Sequence, residues 1–136
     1  MKLIVNTDGG ARGNPGPAGI GVVVERCGNI VYEASKYIGE TTNNQAEYRA
    51  LIEALEWVSE NRENEEEVEC RLDSELVVKQ LNGEYRLKNE GLRPLYQRVV
   101  DLRQKIGGRM MFCHVGRGEN KRADRLVNKA IDLALK

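Results

Sequence analysis

The spacing of apolar residues changes period near Thr41, and that change limits the architectures open to the chain. Before it come three closely spaced β-branched runs: Lys2 to Thr7 (KLIVNT), Ala18 to Arg26 (AGIGVVVER) and Ile30 to Ile38 (IVYEASKYI). Asp8-Gly9-Gly10 ends the first run, and Cys27-Gly28-Asn29 separates the other two at hairpin spacing, which predicts an antiparallel meander. After it, Leu51, Ala54, Leu55 and Val58 recur at helical spacing up to about Arg62, behind the good N-cap residues Thr41-Thr42-Asn43-Asn44. Glu67 to Asp73 (EVECRLD) alternates like a strand, with Val68, Cys70 and Leu72 on one side.

Ser74 to Leu81 then reads as a short helix, Gly83 to Gly91 as a loop, and Leu92 to Ile106 as a longer helix with Pro94 in its first turn. Arg109 to Val115 is a fifth strand, and an amphipathic helix runs from Glu119 or Asn120 to Leu135. The order βββαβααβα predicts an α/β domain over residues 1–136, with one mixed five-stranded sheet and helices on both faces. A parallel pairing of the first and fourth strands places their carboxyl ends at a crevice.

A chain of 136 residues can bury one sustained core without disulfide or metal staples. No apolar run reaches the roughly 18 to 20 residues of a membrane span, so the cytoplasm is the expected location. Cys27, Cys70 and Cys113 are widely spaced and form no CxxC pair, so they read as buried thiols, with one disulfide left open. Net charge is zero but unevenly distributed: acids crowd Glu47 to Glu69, and bases dominate Glu84 to Lys129. The back half can therefore offer a basic face to a polyanion.

The carboxylates carry the chemistry. Asp8 and Asp73 each close a predicted strand, where sheets of this kind place ligands. Glu47 falls on the same stripe as Leu51, Ala54, Leu55 and Val58, so it faces inward from the first turn of its helix. An acid does not sit on a core stripe without a cation or a hydrogen-bond network. Asp124 repeats the anomaly early in the last helix, flanking the stripe Ala123, Val127, Ala130 and Ala134. Singly these acids read as turn, capping and helix-dipole residues; together they are two strand ends and two inward helix starts converging on one crevice. Hard oxygen ligands suit Mg²⁺ or Mn²⁺, and a cluster of this size accommodates two ions about 3.5 to 4 Å apart, as phosphodiester hydrolysis requires.

Four segments, TDGGARGNPGPAGIG, TTNNQAEYRALIEAL, LDSELVVKQL and HVGRGENKRADRLVNKA, in this order and covering nearly the whole chain, resemble ribonuclease H of type 1. The resemblance implies a ribonuclease H-like fold. It also implies metal-dependent cleavage of the RNA strand of RNA/DNA hybrids, leaving 5′-phosphate and 3′-hydroxyl ends. The family's four acids fall on Asp8, Glu47, Asp73 and Asp124, the set already reached from periodicity. His114, the sole histidine, matches the family's mobile-loop histidine, with an implied role in proton transfer or product release.

The implied substrate contacts are Gly9, Asn14, Asn43, Asn44 and Gln45, amide and backbone positions that read the minor groove and the 2′-hydroxyls. Thr42 matches the threonine of the family's DNA-phosphate pocket. Glu40 stands where some members have an arginine, and the stretch NGEYRLKNEG stands where others insert a basic protrusion. No hybrid-binding domain is expected ahead of Met1. Binding is then expected to be modest and salt-sensitive, resting on bases such as Arg86, Lys88, Arg117 and Lys121. The compact form is similar to archaeal and some bacterial members, expected as monomers, and leaves double-stranded RNA open as a second substrate. A related nuclease or polynucleotidyl transferase of the same fold acting on DNA is the competing reading.

Overall fold

The meander forms, but its strands run further than their β-branched runs. A computed structural model of the chain describes residues 2–136. It places β1 at Lys2–Ala11, β2 at Gly16–Arg26 and β3 at Asn29–Thr41, then α1 at Asn43–Asn61, β4 at Glu67–Leu72 and α2 at Glu75–Leu81. A 3-10 turn at Glu90–Leu92 leads into α3 (Arg93–Ile106), and β5 (Met110–His114) is followed by a second 3-10 turn and α4 (Lys121–Ala134). The sheet order is β3-β2-β1-β4-β5. β2 pairs antiparallel with both β1 and β3, whereas β4 pairs parallel with both β1 and β5.

The largest departure from expectation lies at Asp8-Gly9-Gly10, which is strand and not turn. β1 stays paired with β2 as far as Ala11 opposite Ala18, and the reversal comes later, where Gly13 adopts φ +90°. Glycine is needed inside the strands because helices press directly on the sheet. A Cβ on Gly9 would lie 2.2 Å from the carbonyl carbon of Ala46 in α1, and one on Gly21 would lie 2.1 Å from the carbonyl oxygen of Ala123 in α4. Neither distance is tolerable for a carbon atom, so the glycines set how closely each helix can seat.

Those contacts place α1 and α4 on opposite faces, as strand alternation requires. On one face, Leu3, Val5, Val22 and Val24 of the sheet pack with Leu51, Leu55 and Val58 of α1 and Val99 and Leu102 of α3. On the other, Val127, Ala130 and Ile131 of α4 crowd around Gly19.

The β2–β3 hairpin turns through Cys27 (φ 52°) and Gly28 (φ 79°), both left-handed, as a two-residue type I′ turn requires. Cys27 is therefore exposed, correcting its reading as a buried thiol. Cys70 is buried and Cys113 partly so, and all three are free, so the disulfide left open does not form. Burial pushes the Cys70 thiol up, which leaves it inert.

The crevice arises where the sheet splits. β1 and β4 pair from Lys2 opposite Glu67 to Thr7 opposite Leu72, and there β4 ends. β1 continues with β2 alone, so Asp8 is the first residue past the split and Asp73 the first beyond β4. Asp8 is thus not at a strand end, as the sequence led us to expect, but at the end of one of its two pairings. Among the described residues, no helix is long and apolar enough to cross a membrane.

Candidate active site

Three elements deliver acids to the split. Asp8 on β1 and Glu47 on α1 are buried, at 6% and 5% exposure. Asp73 follows β4 and is partly buried. One carboxylate oxygen from each of Asp8, Glu47 and Asp73 lies within 4.8 Å of the others. Asp124, in the first turn of α4, is exposed outside this tight trio but lines the same cavity, whose volume is about 360 Å³. All four acids found by periodicity and by resemblance are thereby brought to one cleft.

Local chemistry explains each placement. Glu47 faces inward because it shares the core stripe, and its Oε1 accepts the Gly9 N–H at 2.8 Å. Its Oε2 is buried and has no hydrogen-bond partner. An unpaired buried carboxylate oxygen is costly, and a bound cation answers it. Asp73 is free for such a role because Ser74, not Asp73, caps α2, its Oγ accepting from the Val77 N–H at 3.3 Å. Burial pushes Asp8 up to about 7, with Asp73 and Asp124 adding to the rise. Burial likewise holds Glu47 well above the usual carboxylate range, reinforced by Asp8. A cluster that disfavours its own negative charge in this way is poised to take up positive charge.

The amides form a second layer beside the acids. Asn14 Oδ1 accepts the Asn43 N–H at 3.0 Å, and Asn43 Oδ1 accepts the Ala11 N–H at 2.8 Å. These two bonds clamp the β1–β2 reversal to the start of α1. Each asparagine spends its carbonyl oxygen on the backbone and keeps its NH₂ as a donor. Thr42 caps α1 by accepting from the Gln45 N–H at 3.2 Å, and Gln45 Oε1 accepts from the Thr41 hydroxyl at 2.6 Å. Of the expected substrate contacts, Gly9, Asn43 and Asn44 line the cavity, while Asn14, Thr42 and Gln45 lie outside its wall. His114 ends β5 opposite Leu72, exposed and also outside the wall. Glu40 is exposed on β3, and of the bases Arg86, Lys88, Arg117 and Lys121 only Arg117 reaches the cavity.

Three participants were not foreseen. Asn120 is buried at 1% exposure and donates from Nδ2 to the Thr7 carbonyl at 2.9 Å, while its Oδ1 accepts from Asn6 at 3.1 Å. An asparagine before a helix ordinarily reads as an N-cap, so nothing in the sequence marks it as buried. Arg12 and Asn128 also line the cavity. Asn128 lies four residues after Asp124, a spacing that places both on one helix face and could have revealed it. Arg12 carries no such signal, because its place follows from how far β1 extends.

Residues 6–130 match the family described as "Reverse transcriptase-like". A bifunctional protein of Mycobacterium tuberculosis is 40% identical over 136 residues, which cover 98% of this chain and 36% of that protein. The chain thus spans about a third of that relative's length. A ribonuclease H of Erythrobacter litoralis is 38% identical over 145 residues, covering 97% of each. Among solved structures, a ribonuclease H1 isolated from compost by a metagenomic approach, in complex with an RNA/DNA hybrid, superposes with a TM-score of 0.94. It shows 49% identity and covers 99% of this chain and 100% of its own. Ribonuclease H1 from Halobacterium salinarum superposes with a TM-score of 0.89 at 41% identity, covering 97% of this chain and 98% of that one.

Proposed function

From the premise that this chain belongs to the type 1 ribonuclease H family, we propose that it is an endonuclease that hydrolyses the RNA strand of RNA/DNA hybrids. The products would carry 5′-phosphate and 3′-hydroxyl ends. The observation that carries the proposal is the gathering of Asp8, Glu47 and Asp73 at the β1–β4 split, with Asp124 on the same cavity wall. A relative at 49% identity is seen with an RNA/DNA hybrid bound, which supports the choice of substrate.

The donor set fits Mg²⁺, or Mn²⁺ in its place: the four residues offer only carboxylate oxygens, and one of those oxygens is buried without a partner. Asp8, Glu47, Asp73 and Asp124 would hold two such ions. When bound, the ions activate water for attack and offset the charge that develops on the leaving oxygen. The chain itself supplies the arrangement. Gly9 contributes by leaving room for α1, by fixing Glu47 through its N–H and by lining the cavity that the substrate enters.

Asn43 and Asn14 turn their NH₂ groups to the substrate as donors to ribose 2′-hydroxyls and minor-groove acceptors, the features that distinguish an RNA strand. Asn44 extends this contact along the cavity, and Thr42 and Gln45 flank it at the start of α1. His114, exposed at the end of β5, exchanges protons with solvent or helps product leave. The protein acts as a monomer on this reading. The test is a panel of RNA/DNA hybrid, double-stranded RNA, single-stranded RNA and double-stranded DNA of one sequence, each with Mg²⁺ or Mn²⁺. Cleavage of the hybrid supports the proposal. Cleavage of DNA without cleavage of the hybrid replaces it with the DNA-directed reading.

A further inference from the structure

We infer that Arg12 is a substrate-gripping residue held in reserve by Asp132, an ion pair that a backbone phosphate of the bound nucleic acid displaces. The inference rests on the nuclease reading above. Its starting point is electrostatic: among the described residues the cavity wall carries four acids, and only Arg12 and Arg117 bring positive charge to it. A polyanion entering this cleft meets repulsion that fixed cations at its margin must offset.

Arg12 is built for that position. Its backbone is tied across the reversal: its N–H donates to the Pro17 carbonyl at 2.8 Å, and its own carbonyl packs so close to Gly16 that a Cβ there would lie 2.0 Å from it. Its guanidinium reaches across to α4, 2.7 Å from Asp132 and 3.3 Å from Asn128 Oδ1. Asp124, Asn128 and Asp132 follow at four-residue steps along one face of that helix, about 6 Å apart per step. Arg12 therefore lies one to two steps from the fourth acid, within reach of a phosphate close to the scissile bond.

The partner it now holds is weak. The side chains of Arg12 and Asp132 are 42% and 65% exposed, and ion pairs so open to water contribute little. Carboxylate and phosphate both accept from a guanidinium in bidentate fashion, so a phosphate can take the place of Asp132 at little cost. No other residue need move, since Asn128 remains as a guide.

The test compares Arg12→Ala, Arg12→Lys and Asp132→Asn with the unsubstituted protein, using a labelled RNA/DNA hybrid over a range of salt concentrations with Mg²⁺. Both steady-state cleavage and equilibrium binding are measured, the binding in an Asp73→Asn background. Arg12→Ala is expected to raise KM and Kd about threefold to fivefold, the scale of one exposed ion pair, with kcat within twofold. It should also flatten the plot of log Kd against log salt by about one phosphate contact. Arg12→Lys restores part of the binding, and Asp132→Asn tightens it by releasing the guanidinium. An unchanged Kd and salt slope in Arg12→Ala, or weaker binding in Asp132→Asn, overturns the inference. Failure of the unsubstituted protein to cut the hybrid counts against the nuclease reading instead, while the binding comparison still decides the role of Arg12.

Discussion

Asn120 donates its side-chain amide to the backbone carbonyl of Thr7 at 2.9 Å, joining the start of α4 to the strand one residue before Asp8. The same amide accepts from Asn6 at 3.1 Å, so a single buried side chain holds α4 against β1. Asp124 lies four residues later and donates its own backbone N–H to the Asn120 carbonyl at 3.1 Å. The spacing between the first and fourth acids thus depends on a residue that touches neither carboxylate.

Replacing Asn120 with Ala takes the buried side-chain donor from the Thr7 carbonyl and leaves the Asn6 amide only its longer bond to the Glu119 carbonyl, at 3.4 Å. The expected cost is about 1 to 3 kcal/mol of stability, read from chemical denaturation. Activity should fall further than stability explains: kcat drops at temperatures where the variant remains fully folded, and a higher Mg²⁺ concentration is needed for half-maximal rate.

The raised position of Asp8 gives a signed dependence on pH. Unfolded, it titrates near 3.8; folded and without metal, near 7. Between those values the folded state binds the extra proton, so this contribution to stability is full below about pH 4 and is lost as pH rises through about 7. Asp8→Asn removes the loss. Without metal at pH 8, that variant should be more stable than the unsubstituted protein in chemical denaturation, and the difference should shrink as pH falls towards 4. Mg²⁺ should raise the melting temperature of the unsubstituted protein at pH 8, do so less at pH 6, and leave Asp8→Asn nearly unaffected.

Gly9→Ala tests how tightly α1 must seat. The added methyl would meet the Ala46 backbone at 2.2 Å, and backbone cannot step aside as a side chain can. The variant is expected to lose at least about 1 to 3 kcal/mol, the usual scale of overpacking. Displacing the start of α1 also breaks the Gly9 to Glu47 hydrogen bond, so cleavage should drop by an order of magnitude or more even in folded protein, measured as kcat on a labelled hybrid.

Much of this site was legible in the sequence because its acids violate the patterns that surround them. Glu47 stands on a stripe of Leu and Ala, and the structure buries it there. Asp73 closes an alternating run, and β4 does end just before it. Less was legible at β1, where Asp-Gly-Gly reads as a turn by local chemistry. Gly9 is there because α1 presses on the sheet, a tertiary demand that no local pattern encodes. Asn120 and Arg12 escaped notice for the same reason: one is buried only after α4 docks, and the other reaches the cavity only because the strand extends past Asp8.

The most direct test of the central claim uses an RNA/DNA hybrid with each strand labelled separately, incubated with Mg²⁺ and either the unsubstituted protein or Asp73→Asn, followed by analysis of the product ends. The predicted result is internal cleavage of the RNA strand alone, giving 5′-phosphate and 3′-hydroxyl ends, and no cleavage by Asp73→Asn although circular dichroism shows it folded. Cleavage of the DNA strand, or full activity in Asp73→Asn, would contradict the account.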